Sequence, residues 1–570
     1  MAYVLNNPED FADELTAGFA AAYGNWVTRV DGGVVRSTEV PQGQVAIVTG
    51  GGSGHYPAFA GLVGPGLATG AAMGNIFASP SAQQVYNVAK AAQTGGGVLL
   101  TYGNYAGDVL NFTQAQERLR AEGIPCETVI VTDDIASSPP EKRHERRGIA
   151  GDLFVFKVAA AAAEAGKSLD EVVDIATAAN NMTRTLGVAF TGCTLPGAED
   201  PLFTVPEGRM AIGMGIHGEP GIDEQAIPTS HELADLLVTK LLAEKPADSS
   251  DRAVVLLNGL GGVKYEELFV LYGSVSRLLA DAGVTIVEPD VGELVTSFEM
   301  AGVSLTLSWL TDELAGYWSA PASTPAYRKG SVTLTRRRST FEHNQTEQDH
   351  LTTASEVSQA AAVRTETLLQ AVKTVIDTNV NYLGELDSIA GDGDHGIGMQ
   401  RGSTAAAKAG ADFASRGAGV GTLLTAAGDA WADKAGGTSG ALWGLLITTL
   451  GRALGDTEEI SASALSTGIS TGVASVQKSG GAQVGDKTMV DALVPFAQRF
   501  QQEAESGTSL LDALRLASNA ADDAAKATAD LTPTKGRART HTTKSVGTPD
   551  PGAVSFALIT KTLVTALEQG

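Results

Sequence analysis

The chain runs to 570 residues, too many for one ordinary hydrophobic core, so two to four domains are expected. A formal charge of −25 repels the phosphate backbone and argues against a general nucleic-acid binder, and no apolar run approaches the roughly 20 residues that a membrane span needs. Cys126 and Cys193 make neither a disulfide framework nor a zinc motif, and the N-terminus has no basic segment ahead of an apolar core, so a reducing, cytoplasmic compartment is expected.

Apolar Phe11, Leu15, Phe19 and Tyr23, spaced by four behind Glu9 and Asp10, predict an amphipathic helix over 8–24. From Val45 the pattern changes to short β-branched runs that end in glycine. Residues 45–48 lead into Thr49-Gly50-Gly51-Gly52-Ser53-Gly54-His55, residues 98–100 into Thr101-Tyr102-Gly103-Asn104-Tyr105-Ala106-Gly107-Asp108, and residues 129–131 into Thr132-Asp133-Asp134. Helices are predicted between them at 82–94 and 112–122. This alternation belongs to an α/β sheet, whose ligands sit in loops at the carboxyl ends of strands. His55 and Asp108 therefore fall in loops able to face one crevice. The glycine loop is not a dinucleotide fingerprint, because Pro57 holds the third glycine position, nor a nucleophile elbow, because His55 stands fifth.

A second α/β region follows helices at 157–166 and 169–184. A strand at 210–216 delivers His217-Gly218-Glu219-Pro220-Gly221, residues 254–257 run into a glycine-rich turn at 258–262, and residues 285–287 into Glu288-Pro289-Asp290. Taken alone, His55 and His217 serve equally well as hydrogen-bonded turn histidines or as reactive ones.

Between Trp318 and about Gln359 the pattern breaks. Proline, serine and threonine precede Arg336-Arg337-Arg338 and a polar run over 344–353, an exposed connection with a short strand at 332–335. Beyond it the β pattern disappears. Leu368, Leu369, Val372, Val375, Ile376 and Val380 recur at helical spacing, and further helices fit 420–434, 440–454, 461–478, 488–505, 509–529 and 553–568. A helical domain has to place its site in the loops at the mouth of the bundle.

The first of those loops puts Asp387, Asp392 and Asp394 into eight residues. Positions five apart on a helix diverge by about 140°, so the chain must turn, and Gly391, Gly393 and Gly396 permit it. Such a cluster repels itself; a hard cation such as Mg²⁺ would relieve the repulsion, with substrate phosphates completing its shell. An Asp/Gly surface turn has the same composition. Three more loops are candidates: Gly436-Gly437-Thr438-Ser439-Gly440, opening a helix whose N-terminus favours an anion; residues 480–489; and Lys535-Gly536-Arg537-Ala538-Arg539 with Lys544 and Asp550-Pro551-Gly552. With no Walker A sequence, they point to a nucleotide site that is not a P-loop.

On these motifs, in order and in both halves, the chain resembles the dihydroxyacetone kinase family in its single-chain, ATP-dependent form, over essentially its whole length. The quoted glycine, Asn-Tyr-Ala-Gly-Asp and Gly-Ile-His-Gly-Glu-Pro-Gly runs carry the resemblance, together with Arg146-Arg147-Gly148-Ile149-Ala150-Gly151, Gly485-Asp486-Lys487-Thr488-Met489 and the acidic loop. It implies an α/β ketose-binding domain of two subdomains over 1–330, a linker over 331–360, and an all-α eight-helix barrel over 361–570 that binds ATP and Mg²⁺. It further implies that His217 adds to the substrate carbonyl as a hemiaminal, which selects short ketones and aldehydes over polyols. His55 and Asp108 would bind the hydroxyl that receives phosphate, Asp108 as general base, with Gly52, Ser53, Gly54 and Gly103 around the ketose. Asp387, Asp392 and Asp394 would hold two Mg²⁺ ions. His395, Gly396, Ile397, Gly398, Thr438, Ser439, Gly480, Met489, Arg537, Asp550, Pro551 and Gly552 match nucleotide-contacting positions. A homodimer is expected on the resemblance, with no nucleic-acid or membrane partner.

The chain departs from the family pattern near the substrate. Gly103 stands where many members have lysine, Tyr56-Pro57-Ala58-Phe59 where Glu-Pro-Ala-His is common, and Asn75 where an acidic residue is usual. A lost lysine would open volume and remove a donor beside the ketose, which suits a four-carbon ketose such as erythrulose; dihydroxyacetone stays open beside it. Arg539-Thr540 stands where Ser-Tyr is usual, which bears on the phosphate contacts. Two other functions use the same architecture. One is a non-catalytic ketose-sensing co-regulator, against which the intact His55, Asp108, His217 and three carboxylates argue. The other is a phosphoenolpyruvate-system subunit keeping ADP as cofactor, against which the fusion of both halves argues. The ketose enantiomer, the phosphorylated hydroxyl, assembly of the site across subunits and an FAD-cyclising side activity stay open.

Overall fold

The β-branched, glycine-ended runs of the first half pair into two sheets. In the computed structural model, which describes residues 4–332, 335, 354–389, 391, 393–535 and 545–569, the chain divides into two units, residues 1–343 and 344–570. The triple arginine, Asp392 and Arg537 lie outside the described residues, as do two of the four residues of the predicted linker strand.

The first sheet contains β1 (Val27–Val30), β2 (Gly33–Arg36), β3 (Ala46–Ser53), β4 (Gly70–Ile76), β5 (Val98–Gly103) and β6 (Cys126–Val131), in the order β1-β2-β4-β3-β5-β6. β4, β3, β5 and β6 run parallel. Every residue of β3 and β5 is buried, because helices cover both faces. After α1 (Phe11–Ala22), α2 (Ala82–Ala92) and α3 (Ala106–Ala121) pack one face through Val85, Val88, Phe112 and Leu119; α4 (Asp152–Glu164) and α5 (Leu169–Asn181) pack the other through Leu153, Phe156 and Val172. Helix α3 begins six residues before the predicted 112, which puts Asp108 in its first turn; acidic side chains favour that position.

The second sheet contains β7 (Thr183–Ala189), β8 (Arg209–Ile212), β9 (Asp223–Ala226), β10 (Arg252–Gly259), β11 (Thr285–Ile286), β12 (Asp290–Gly292) and β13 (Gly302–Trp309), ordered β11-β10-β13-β7-β8-β9 with β12 beside β10. Helices α6 (Ser230–Leu242) and α7 (Tyr265–Asp281) cover one face, and α8 (Asp312–Ser319) follows β13. The strand predicted to reach residue 216 stops at Ile212, because Gly213 adopts φ +75° and turns the chain toward His217.

The second unit carries eight α-helices among the described residues: α9 (Glu356–Ser388), α10 (His395–Ser415), α11 (Val420–Ala435), α12 (Gly437–Leu454), α13 (Ala462–Gly480), α14 (Val490–Glu505), α15 (Leu510–Ala527) and α16 (Pro551–Gln569). Each packs against its successor and α16 returns to α9, so the ring closes around Leu369, Ile376, Met399, Trp431, Val476 and Phe556. Among the described residues no helix is long and apolar enough to cross a membrane.

Candidate active site

His55 follows β3 by two residues and is 2% exposed. Its Nδ1 lies 2.7 Å from the Thr296 carbonyl oxygen and its Nε2 3.0 Å from Nε2 of His217. A carbonyl only accepts, so Nδ1 donates and Nε2 of a neutral ring offers its lone pair. Burial and the neighbouring His217 lower the His55 pKa to about 3, which keeps this ring neutral. His217, whose side chain is 20% exposed, turns its Nδ1 to Glu219 Oε1 at 3.1 Å, while Glu219 Oε2 accepts the His217 backbone N–H at 3.1 Å. Desolvation pushes Glu219 upward, but His217 and then Arg147 overcome it and hold the carboxyl well below the usual range.

Three contacts in line, from Thr296 through His55 and His217 to Glu219, are hydrogen bonds only if three protons lie on the two rings. Two neutral imidazoles bring two. A third proton on the pair would have Glu219 as its counter-charge. Arg147 completes the line, 2.8 Å from Asp134 Oδ2 and 3.8 Å from Glu219 Oε2. Phe77 stacks on His55 with centroids 4.8 Å and planes 11° apart, and Tyr105 meets His217 edge-on at 4.7 Å. Phe77 and Phe298 both hold left-handed backbone, at φ +50° and +47°, a conformation rare for bulky residues and concentrated at functional sites.

Asp108 is buried, with Oδ1 unpartnered among the described residues. Burial raises its pKa to about 7, against the pull of a Ser79 hydrogen bond and of His217. A carboxyl in that range suits a general base. Ser53 is committed elsewhere, its hydroxyl donating to the Gly74 carbonyl at 2.7 Å. Gly52 and Gly54 admit the aromatic wall: a Cβ at Gly52 would lie 2.8 Å from the Phe77 backbone, and one at Gly54 2.6 Å from the Phe298 ring. The room expected beside Gly103 is not there. A Cβ at Gly103 would stand 2.9 Å from the Gly148 carbonyl oxygen, so backbone fills the space the missing lysine side chain was expected to open.

In the second unit Asp387 lies in the last turn of α9 and Asp394 precedes α10; the chain turns between them as the spacing requires. Asp387 Oδ2 accepts the His395 backbone N–H at 3.3 Å. The Asp394 pKa is raised to about 6 by desolvation and by the charge of Asp387, with Arg401 opposing. The residue is nonetheless exposed, so the charge of Asp387 outweighs desolvation in raising it. Asp550 precedes α16 and accepts the Ala553 N–H at 2.7 Å; burial, then Asp491 and Asp387, raise it to about 7. Carboxylates that repel one another in this way fit a hard divalent cation, although no set of three His, Cys, Asp or Glu side chains among the described residues is arranged as a metal site.

The nucleotide candidates gather at helix ends. His395 Nε2 lies 3.0 Å from Ser555 Oγ, and a Cβ at Gly552 would lie 3.2 Å from that of Met489, which joins the starts of α10, α14 and α16. A Cβ at Gly398 would approach the Ala435 carbonyl at 3.7 Å, beside the Gly436-Gly437 turn that puts Thr438 and Ser439 in the first turn of α12. Gly480 ends α13 against Leu442, Pro551 opens α16, Gly396 packs on Val380 and Ile397 is exposed. Free backbone N–H groups at such starts bind anions. Sequence reasoning gave no role to Glu219, Thr296, Phe77 or Tyr105. A carboxylate two residues after a turn histidine was signal enough for Glu219; Thr296 contributes a backbone carbonyl, which no side-chain pattern announces.

The profile of the Dak1 domain matches residues 17–326 and that of the DAK2 domain residues 389–565. An L-erythrulose kinase of Pectobacterium atrosepticum is 57% identical over 567 residues, spanning 98% of this chain and 95% of that one. A D-erythrulose kinase of Mycolicibacterium smegmatis is 51% identical, spanning 100% of both. The crystal structure of the dihydroxyacetone kinase from C. freundii in complex with AMP-PNP and Mg²⁺ is similar at 30% identity and a TM-score of 0.52, over 99% of each chain.

Proposed function

The chain belongs to the dihydroxyacetone kinase family and is an ATP-dependent kinase, and from that premise we propose that it phosphorylates a terminal hydroxyl of a short ketose, erythrulose ahead of dihydroxyacetone, held as a hemiaminal on His217. The observation that carries this reading is the line Thr296–His55–His217–Glu219, in which His217 Nε2 faces a neighbouring ring nitrogen able to take its proton.

To attack, His217 Nε2 releases its proton to the His55 Nε2 lone pair, 3.0 Å away. His217, still donating Nδ1–H to Glu219, adds Nε2 to the ketone carbon; the C=O π pair moves to oxygen, which takes the proton from His55. One positive charge stands on the pair before and on the alkylated imidazole after, with Glu219 as its counter-ion throughout. Glycerol offers no carbonyl and forms no adduct. Asp108 then accepts the proton of the hydroxyl that attacks the ATP γ-phosphorus. Asp387, Asp392 and Asp394 would hold Mg²⁺, which when bound offsets charge on the transferring phosphoryl group. We place the enzyme in the cytoplasm as a homodimer, a state that analytical ultracentrifugation checks.

The test is ADP release by the purified protein with ATP and Mg²⁺ over D- and L-erythrulose, dihydroxyacetone, glyceraldehyde and glycerol. Ketoses should turn over and glycerol should not. Equal use of glycerol would remove the tether; turnover of no carbonyl compound would favour a ketose-sensing co-regulator.

A further inference from the structure

Arg147 has no part in the carbonyl addition, yet its guanidinium ties the end of β6 to the turn that carries His217. The side chain is 12% exposed. Its Nε donates to Asp134 Oδ2 at 2.9 Å, with Nη2 2.8 Å from the same oxygen, and Nη2 donates to the Gly213 carbonyl at 2.9 Å. Nη1 faces Glu219 Oε2 at 3.8 Å, the separation of an ion pair without a hydrogen bond. Main-chain bonds brace residue 147 from the other side: its N–H donates to Ser137 Oγ at 2.9 Å, and its carbonyl accepts the Asp134 N–H at 3.1 Å.

The turn is built around these charges. Gly213, whose carbonyl Arg147 holds, stands where the chain leaves β8, and the Gly215 N–H donates to the Glu219 carbonyl at 3.0 Å, which closes the loop over 215–219. A Cβ at Gly215 would collide with both Glu219 Oε2 and Arg147 Nη1, so glycine there leaves the room that the pair occupies. Glu219 in turn holds His217 twice, at Nδ1 and at the backbone N–H, each at 3.1 Å. Its Oε2 both accepts that N–H and faces Arg147, so the guanidinium bears on the oxygen that anchors the histidine backbone. Burial works against the charge of Arg147, and Asp134 and then Glu219 outweigh it.

We propose that Arg147 is a positioning residue for ketose capture that acts through Glu219: by holding that carboxylate and the Gly213 carbonyl, it keeps His217 Nε2 directed at His55 while the carbonyl carbon is attacked. The assignment rests on the hemiaminal function proposed above. Arginine suits the task because its planar fork serves Asp134 and Gly213 together and still presents Nη1 to Glu219. Lysine supplies the charge without the fork, and methionine fills much of the length without the charge.

The experiment is a double-mutant cycle of Arg147→Met and Glu219→Gln, read as ketose adduct by intact-protein mass spectrometry and as kcat and KM for the preferred erythrulose enantiomer with ATP and Mg²⁺. Arg147→Met should lose about 30-fold in kcat/KM, mostly through KM and with less adduct at a fixed ketose concentration, and Arg147→Lys should lose less. In the Glu219→Gln background the same Arg147→Met change should cost less than about 3-fold, because the group it acts through is gone. Losses that multiply would overturn the assignment, as would an Arg147→Met protein with wild-type adduct and KM, whatever its kcat. Should Arg147→Met not fold by circular dichroism, the same cycle with Arg147→Lys decides. Wild-type protein that forms no adduct would defeat the tether on His217 itself; wild-type adduct beside an additive cycle would defeat only the role of Arg147.

Discussion

At the scale of single residues, the proton inventory of the site governs its pH dependence. In the proposed mechanism Asp108 must be ionised to accept the hydroxyl proton, and burial raises its pKa to about 7. Turnover should therefore fall about tenfold per unit as pH drops below that value, and Asp108→Asn should abolish it rather than shift the limb. The same shift acts on stability with a fixed sign. The folded pKa exceeds the unfolded one, so unfolding releases a proton, and this residue's contribution turns unfavourable as pH rises from about 4 through about 7. In the proposed step the third proton of the histidine pair is the one the ketose oxygen takes. Glu219→Gln removes the counter-ion of the alkylated imidazole and leaves Nδ1–H only a neutral amide oxygen to donate to. We expect that variant to lose about 100-fold in kcat/KM, to form less adduct by intact-protein mass spectrometry, and to bind ATP as before. Adduct at wild-type level in Glu219→Gln would mean the carboxylate only braces the turn.

Among the elements, what could be read in advance follows from how each one is stabilised. Strands β3 and β5 are buried on both faces, so their β-branched runs announce them, and the candidates at their carboxyl ends were legible with them. Helix α10 was not. Its Gly396, Gly402 and Gly410 weaken the helical pattern, yet each is required by a close neighbour: a Cβ at Gly402 would lie 2.6 Å from the Trp431 indole nitrogen, and one at Gly410 2.7 Å from Leu369. Tertiary proximity overrode propensity there. It also overrode the expectation for Gly103, where the sequence shows that a side chain is missing but not that the Gly148 backbone occupies the adjoining space. Gly103→Ala tests this directly. A Cβ 2.9 Å from a backbone oxygen forces the two segments apart, and overpacking of that kind costs about 1–3 kcal/mol. Thermal unfolding should show the loss; a variant as stable as wild type would show that the Gly148 segment yields freely.

Across the whole molecule, the proposed chemistry divides between capture of a carbonyl and delivery of phosphate, and the residues proposed for each lie in different units of the chain. The imidazole line, its aromatic wall and Asp108 all fall within residues 1–343, and the carboxylates at Asp387 and Asp394 with the helix starts around them within residues 344–570. Each set lacks what the other supplies. Two single substitutions should therefore give the same null turnover for opposite reasons. His217→Ala should form no ketose adduct by intact-protein mass spectrometry while keeping ATP affinity in calorimetry. Asp387→Ala should form the adduct at wild-type level and release no ADP, because the charge on the phosphates is no longer offset. If Asp387→Ala also lost the adduct, capture would depend on the nucleotide unit. The proton transfer between His217 and His55 would then need a loaded second unit to begin, and the histidine pair alone would not account for the tether.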